Sequence, residues 1–190
     1  MEDLTKIILD WSSGNKYSEE RLYAYTYDRF KNIATETRNK TNGYQNNSSQ
    51  FGDVISSTTT LVHEAYLKLA EEKKLDLVSS KEFFLLVSKI MRHILIDHYR
   101  KYTAAKRDSN SIELDCGVIE GVTNLDLMTV ERGLIKLSEN YPRQAETFQL
   151  RYFIGLRNKE IANIHQVSES LVDKDLKFSK NWISNLAIAS

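Results

Sequence analysis

The pair His63-Glu64 is the candidate start of a catalytic metal site in this sequence. In a zinc-protease helix, histidine and glutamate are adjacent and a second histidine stands four residues after the first, so that two imidazoles share one helical face. That position is occupied by Leu67 here. A zinc pair cannot form on this face, and we predict no metal site.

Nucleophilic chemistry also lacks its partner groups. Cys116 is the single cysteine and stands in an acidic stretch with no base beside it, which disfavours the reactive thiolate. The other histidines are scattered, and no glycine-rich loop is available to hold a phosphate. We therefore predict no catalysis and no cofactor. The lone cysteine, with no secretion signal and no apolar run of about 20 residues, predicts a cytoplasmic protein without a membrane span.

The charged side chains point to a binding partner rather than to a reaction. The whole chain carries 26 basic and 26 acidic residues, which by itself argues against nucleic acid. Residues 79–107, however, hold seven basic and two acidic side chains, a net charge of +5. Residues 108–128 hold five acids and no Lys or Arg, a net charge of −5. This asymmetry predicts a basic surface for a polyanion beside an acidic segment.

The elements that would position these charges are helices. Seven glycines and one proline leave few breakers, and apolar residues recur every three or four positions. We expect N-terminal helices at about 4–11, 18–38, 59–72 and 81–102, with a loop over 39–57. The last of these helices is the longest and most amphipathic, and the residues along its one predicted apolar face are Phe84, Val87, Met91, Ile94, Leu95 and His98. The predicted fold class is all-α, with two small helical domains, 1–102 and 127–190, joined by a flexible acidic linker over 103–126.

The C-terminal region has the pattern of a helix-turn-helix. Pro142 suits a first helical turn and Gly155 the end of that helix. Asn158 can cap a short helix to about 164, and Ser168 can cap a long helix to about 186. A plain helical hairpin within a bundle is the competing interpretation. The side chains spaced to face the core are Val172, Leu176, Ser179, Ile183 and Leu186, joined by Ile161, Ile164 and Val167.

Several segments in a fixed order resemble one known family. They are LVHEAYLKL (61–69), MRHILIDHYRK (91–101), AAKR (104–107) and PRQAETFQLRYFIGL (142–156), together with the N-terminal LTKIILDW and the pair Tyr27-Asp28. The chain thereby resembles sigma factors of the extracytoplasmic-function (ECF) type over nearly everything except the 40–57 loop and the linker. The resemblance implies a bacterial transcription-initiation subunit that binds core RNA polymerase and promoter DNA.

The resemblance also implies a role for each domain. The N-terminal domain would bind the β′ clamp helices of polymerase and would recognise and melt the −10 element, while the C-terminal domain would read the −35 element and contact the β flap. The implied polymerase-binding residues are Leu61, Val62, His63, Glu64, Tyr66, Leu67 and Lys68. Those implied for the −10 element and melting are Lys73, Lys74, Ser79, Ser80, Lys89, Arg92, His93, Tyr99, Arg100 and Lys101. Those implied for the −35 element are Arg151, Arg157, Ser168, Ser170, Leu171, Asp173, Lys174, Lys177 and Lys180.

The recognition helix departs from the family pattern, which is rich in arginine and lysine. Residues 168–182 carry three acids and three lysines and no arginine for bidentate contact with guanine. Gln166 stands where the family has glycine, and a left-handed conformation there would cost about 1 kcal/mol. We expect weak autonomous reading of the −35 element, with help from another DNA-targeting protein such as an activator or an RNA-guided factor.

Three further interpretations stay open at this stage. The acidic linker would either follow the polyanion path of polymerase as a nucleic-acid mimic or be a merely solvated connection. An anti-sigma inhibitor protein is a further partner to consider, although no feature of the sequence encodes one. A stand-alone helix-turn-helix regulator that acts without polymerase is the competing function.

Overall fold

The computed structural model describes residues 4–42, 58–71, 79–105 and 127–188, and every regular element in these ranges is a helix. The all-helical prediction is therefore confirmed for this part of the chain. None of the helices in these ranges is long and apolar enough to cross a bilayer. The helices are α1 (Leu4–Ser12), α2 (Lys16–Asn42), α3 (Thr58–Glu71), α4 (Ser80–Ala105), α5 (Leu127–Asn140), α6 (Pro142–Tyr152), α7 (Asn158–His165) and α8 (Glu169–Ile188).

Helices α1 to α4 pack on one another and form what we call the N-terminal unit. Helix α4 supplies most of its core, including the face that the sequence predicted. Trp11 of α1 meets the ring of Phe83 edge to face, with 5.9 Å between the ring centroids. The predicted core residues of α4 that are buried are Phe84, Val87, Met91, Ile94 and Leu95.

Helices α5 to α8 form the C-terminal unit, which is built around α8. Val172 and Ile183 of α8 are fully buried, as the helical spacing predicted. Gly133 lets α5 come close to α8, because a Cβ at this position would lie 3.2 Å from Cγ1 of Ile183. A larger residue at position 133 would push the two helices apart.

Several predicted helix boundaries differ from the structure. Helix α2 begins two residues before the expected start at Ser18, because the Asn15 Oδ1 atom accepts hydrogen bonds from the backbone N–H groups of Tyr17 and Ser18. It continues to Asn42, four residues into the predicted loop. Helix α4 runs to Ala105, so the first three residues of the predicted linker are helical. Residues 106–126, the remainder of that linker, and 43–57 of the loop lie outside the described residues.

The caps of the last two helices combine one confirmed prediction and one wrong one. The Ser168 hydroxyl accepts from the backbone N–H of Leu171 at 3.2 Å and caps α8, as predicted. Helix α7 is capped differently, since Asn158 is already its first helical residue and Arg157 is its N-cap. The Glu160 carboxylate accepts a hydrogen bond from the Arg157 backbone N–H at 2.9 Å. This N–H group, at the start of the helix, would otherwise have no partner within the helix.

Gln166 ends α7 in the left-handed region, with φ 54° and ψ 46°. Its backbone N–H and that of Val167 donate back into the last turn of α7, to Asn163 and Ala162. This conformation reverses the chain so that α8 can pack across α7. The glutamine side chain thus occupies a position where glycine would be unstrained.

We predict that Gln166→Gly stabilises the protein by about 0.5–1 kcal/mol, because it removes the left-handed penalty of a residue with a Cβ. Urea unfolding followed by circular dichroism measures the change. The matched control is Asn163→Gly, an exposed position within α7, where we expect a loss of about 0.5–1 kcal/mol. A loss of stability at both positions would contradict the prediction.

Candidate functional site

The first candidate surface lies on α3 and consists of His63, Glu64, Leu67 and Lys68, which we call the α3 surface. His63 is exposed, and Leu67 is 61% exposed although it is a large apolar residue. The helix is anchored from behind by Ala65 and Leu69, which are buried in the N-terminal unit. The α3 surface therefore presents an apolar side chain among polar ones on a fixed helix, as a protein-binding surface does.

Ion pairs and hydrogen bonds fix the direction of α3. Glu64 Oε2 lies 3.0 Å from Nε2 of His98 on α4, and Glu64 Oε1 lies 3.8 Å from the ammonium of Lys68. Tyr66 donates its hydroxyl to Glu19 of α2 at 2.8 Å. Glu64 and Tyr66 thus hold α3 to its neighbours. Leu61 and Val62, also predicted for polymerase binding, lie in α3 but their side chains are outside the described part.

The second candidate surface is the basic face of α4. Lys89, His93 and Arg100 are exposed and repeat at intervals that bring them to nearly one side of the helix, with Lys101 exposed beside them. Partial desolvation of the imidazole lowers the pKa of His93, and the neighbouring Arg92 charge lowers it further, which favours the neutral form at pH 7.

The start of α4 carries two more of the predicted residues. The Ser79 hydroxyl accepts from the Glu82 backbone N–H at 3.2 Å and so caps the helix, while Ser80 is half-buried in its first turn. Lys73 and Lys74 lie outside the described residues, as does the side chain of Tyr99. The described residues among those implied for the −10 element therefore run from Ser79, just before α4, to Lys101 within it.

Arg92 does not share this exposed face. Its side chain is only 14% exposed and its Nε atom lies 3.2 Å from Oε2 of Glu131 on α5, in the other unit. Family resemblance placed Arg92 among the DNA-facing residues, and neither the resemblance nor helical periodicity shows that a second unit packs there. Its partner Glu131 is a residue that the sequence reasoning missed.

The third candidate surface is the exposed side of α8, with the turn that precedes it. Ser168, Ser170, Asp173, Lys174 and Lys177 are exposed, while Leu171 and Lys180 are half-buried. Helices α7 and α8, joined by residues 166–168, have the short-linked arrangement in which a second helix enters a DNA groove. The first two turns of α8 are therefore the part that can reach base edges.

One acid of α8 does not belong to this surface. Asp175 is 4% exposed and accepts two hydrogen bonds from the Arg143 guanidinium, at 2.9 and 3.1 Å, and another from Gln144. The sequence contained a signal for this, because Asp175 lies three residues after Val172 and four before Ser179, within the predicted core stripe. The exposed side of α8 then carries three lysines against Glu169 and Asp173, a net charge of +1 rather than zero.

Other predicted DNA-facing residues make contacts within the C-terminal unit. Asn158 donates to Asp173, Arg151 donates to the Leu156 carbonyl at 3.1 Å, and the Lys180 ammonium lies 5.5 Å from the centroid of the Tyr152 ring. The Arg157 side chain is 83% exposed, and Lys174 and Lys177 are exposed on α8. These three cations are therefore better placed to meet an anion than Arg151 or Lys180.

No cluster of three or more His, Cys, Asp or Glu side chains suited to a metal ion occurs in the described ranges.

The chain matches a family model over residues 1–187, and the description of that family is ECF sigma factor. Neither the curated proteins nor the solved structures contain a match to the chain.

We predict that Arg143→Ala destabilises the protein by about 1–2 kcal/mol, because it leaves the Asp175 carboxylate buried with Gln144 as its remaining side-chain donor. The expected loss of stability is modest because the Arg143 side chain is 44% exposed, so water can replace some of its hydrogen bonds to Asp175. Lys177→Ala, on the exposed side of the same helix, should change stability by less than about 0.5 kcal/mol. Urea unfolding compares the two.

Adding Asp175→Asn to Arg143→Ala should recover part of the loss, because a neutral amide has a smaller desolvation cost than a carboxylate. An unchanged or larger loss in the double variant would show that the buried charge is not the reason.

Proposed function

This chain belongs to the ECF sigma factor family, and from that premise we propose how its two helical units divide the work of initiation. As a sigma factor it binds core RNA polymerase and directs promoter recognition, and the family consists of initiation factors rather than enzymes. We assign 1–102 to polymerase binding and to recognition and melting of the −10 element, and 103–126 to an acidic linker. We assign 127–190 to the −35 element and the β flap.

The observation that carries the first assignment is the α3 surface. Leu67 stands 61% exposed between the exposed His63 and the half-buried pair of Glu64 and Lys68. Ala65 and Leu69 fix the other side of the helix in the core, so Leu67 stays exposed to solvent. Burying such a large apolar side chain in a partner protein contributes favourable free energy to binding. This supports contact between α3 and the clamp helices of polymerase.

The basic face of α4 supports the assignment to the −10 element. Lys89, Arg100 and Lys101 are exposed on one long helix, so their charges can follow a phosphate backbone. His93 stands among them as a neutral imidazole, which can stack on an unpaired base or donate a hydrogen bond without adding charge. An extruded base needs such a surface to offset its lost stacking.

The exposed side of α8 supports −35 recognition of limited strength. A net charge of +1 and the absence of arginine leave few phosphate contacts and no bidentate reading of guanine. We propose that the C-terminal unit positions the polymerase only weakly by itself, and that an activator or an RNA-guided factor supplies the missing affinity. An anti-sigma protein, frequent among partners in this family, would compete for the same surfaces.

We predict that Glu64→Lys abolishes co-purification with core polymerase, because a lysine there faces Lys68 and His98 and turns the α3 surface positive. Pull-down of tagged full-length chain with core polymerase measures this. Glu139→Lys makes the same charge change at an exposed position of α5 and should leave binding within about twofold of wild type. Circular dichroism checks that both variants fold.

The same pull-down tests the competing function. A stand-alone helix-turn-helix regulator would retain DNA binding and show no association with polymerase, even for the wild-type chain. That result would overturn the proposed function.

We predict that holoenzyme selected on a random promoter library enriches a −10 motif much more strongly than a −35 motif, because the exposed side of α8 offers few discriminating contacts. Each well-read base pair is worth about 1–3 kcal/mol, so strong reading would be obvious in the enrichment. Enrichment of a strong upstream motif with no helper present would contradict the proposal. The spacing between the two motifs provides an internal check on the assignment.

A further inference from the structure

His98 is the last member of the apolar face predicted for α4, and it is the one member of that face that is not buried. Ile94 and Leu95, one turn before it, are enclosed in the core of the N-terminal unit, so the backbone of α4 directs His98 towards the same neighbours. The His98 side chain is 23% exposed, and its Nε2 atom lies 3.0 Å from Oε2 of Glu64 on α3. His98 therefore reaches the α3 surface from behind, without being part of it.

The contact between His98 and Glu64 fixes the proton of the imidazole. An ionised carboxylate only accepts hydrogen bonds, so the Nε2 atom of His98 must carry a hydrogen and donate it to Glu64. Nε2 carries this hydrogen in the matching neutral tautomer and in the protonated ring alike. The hydrogen bond therefore does not depend on the charge of the imidazole.

The carboxylate of Glu64 has a second neighbour, which holds it much less firmly. Its Oε1 atom lies 3.8 Å from Nζ of Lys68, and the same ammonium lies 4.0 Å from Oδ2 of Asp97 on α4. Ion pairs that are this long and partly exposed to solvent restrict a side chain little. The hydrogen bond from His98 is therefore the contact that decides the direction of the Glu64 carboxylate.

A carboxylate held in this way is prepared for a partner. Its two oxygens can accept about four hydrogen bonds, so Glu64, with its side chain 33% exposed, can accept more than the one from His98. Immobilising a long side chain during association costs free energy, and a side chain that is already fixed avoids much of this cost. Leu67 is exposed three residues along the same side of the helix. A fixed acceptor beside an exposed leucine fits a partner surface that combines a cation with an apolar pocket.

We propose that His98 is a positioning residue for polymerase binding: its Nε2–H group orients the Glu64 carboxylate of the α3 surface towards an arginine or lysine of the polymerase. This inference rests on the proposed function of the α3 surface. His98 itself makes no contact with polymerase, and its effect passes through Glu64. Without this donor, Lys68 is the neighbouring cation that still holds the carboxylate, which can then turn along α3 and away from the partner.

The test measures the dissociation constant of the tagged full-length chain for core polymerase by biolayer interferometry, with no DNA present. We expect His98→Leu, which removes the donor and keeps a side chain of similar size, to weaken binding about tenfold. His98→Gln places an amide N–H near the position of Nε2 and should stay within about threefold of wild type. The matched control is Asn163→Leu, a polar-to-leucine change at an exposed position of α7, with an expected change of less than about twofold.

A double-variant cycle separates positioning from a general effect on the fold. His98→Leu is repeated in a Glu64→Ala background, where no carboxylate remains to be oriented. We expect the second change to alter the dissociation constant by less than about twofold there, because the two residues act through one contact. Circular dichroism and urea unfolding check that every variant is folded under the conditions of the binding measurement.

Three results would each overturn the proposal. They are binding by His98→Leu within about twofold of wild type, equal weakening by the leucine and glutamine variants, and the same loss of affinity with and without the Glu64 carboxylate. A wild-type chain that does not bind core polymerase would refute the proposed function and this inference with it. A wild-type chain that binds, with His98→Leu binding equally well, would refute the positioning role and leave the proposed function intact.

Discussion

Helix α4 carries apolar side chains on so much of its surface that it must be covered from more than one direction. Phe83, Phe84 and Ile94 are almost fully enclosed, and α1 and α3 pack on the helix as members of its own unit. Ile90 and Ile96, outside the stripe that the sequence predicted, are buried as well. Because α4 is also the helix that carries the basic face, buried apolar side chains and exposed charges share the same 26 residues. The positions of α5, α6 and α7 follow from this constraint.

The zero net charge of the chain acquires a structural meaning from these contacts. Opposite charges do not merely balance along the sequence, since Lys81 and Arg92 meet carboxylates of the other unit directly. On α8, Asp175 is paired in the same way: its carboxylate accepts two hydrogen bonds from Arg143 and does not add negative charge to the exposed side of the helix. A count of charges by segment therefore understates the positive potential of α8 and overstates the freely available charge of α4.

Local patterns predicted the helices and most of their buried faces, because helical periodicity is a property of neighbouring residues. Val172 and Ile183 were found in this way, and so was the Ser168 cap. The end of α2 was missed because its polar residues are compatible with either a helix or a loop. The pairing of Arg29 with Glu160 joins residues 131 positions apart, and no short-range pattern encodes it. The α3 surface combines both kinds of information. Family resemblance named its residues, and only the structure shows that Leu67 is exposed.

The strained turn at Gln166 and the contact between Arg92 of α4 and Glu131 of α5 have a common physical logic. Each gives up a little stability at a place where the chain has a more stable alternative, which is glycine at the turn and an apolar pair at the contact. The buried residues of α7 and α8 offset the strain at the turn, so α8 stays fixed. The ion pair has no such local compensation, because Arg92 Nε and Glu131 Oε2 are buried without a hydrogen-bond partner. The two units are therefore easier to separate at this pair than either unit is to unfold.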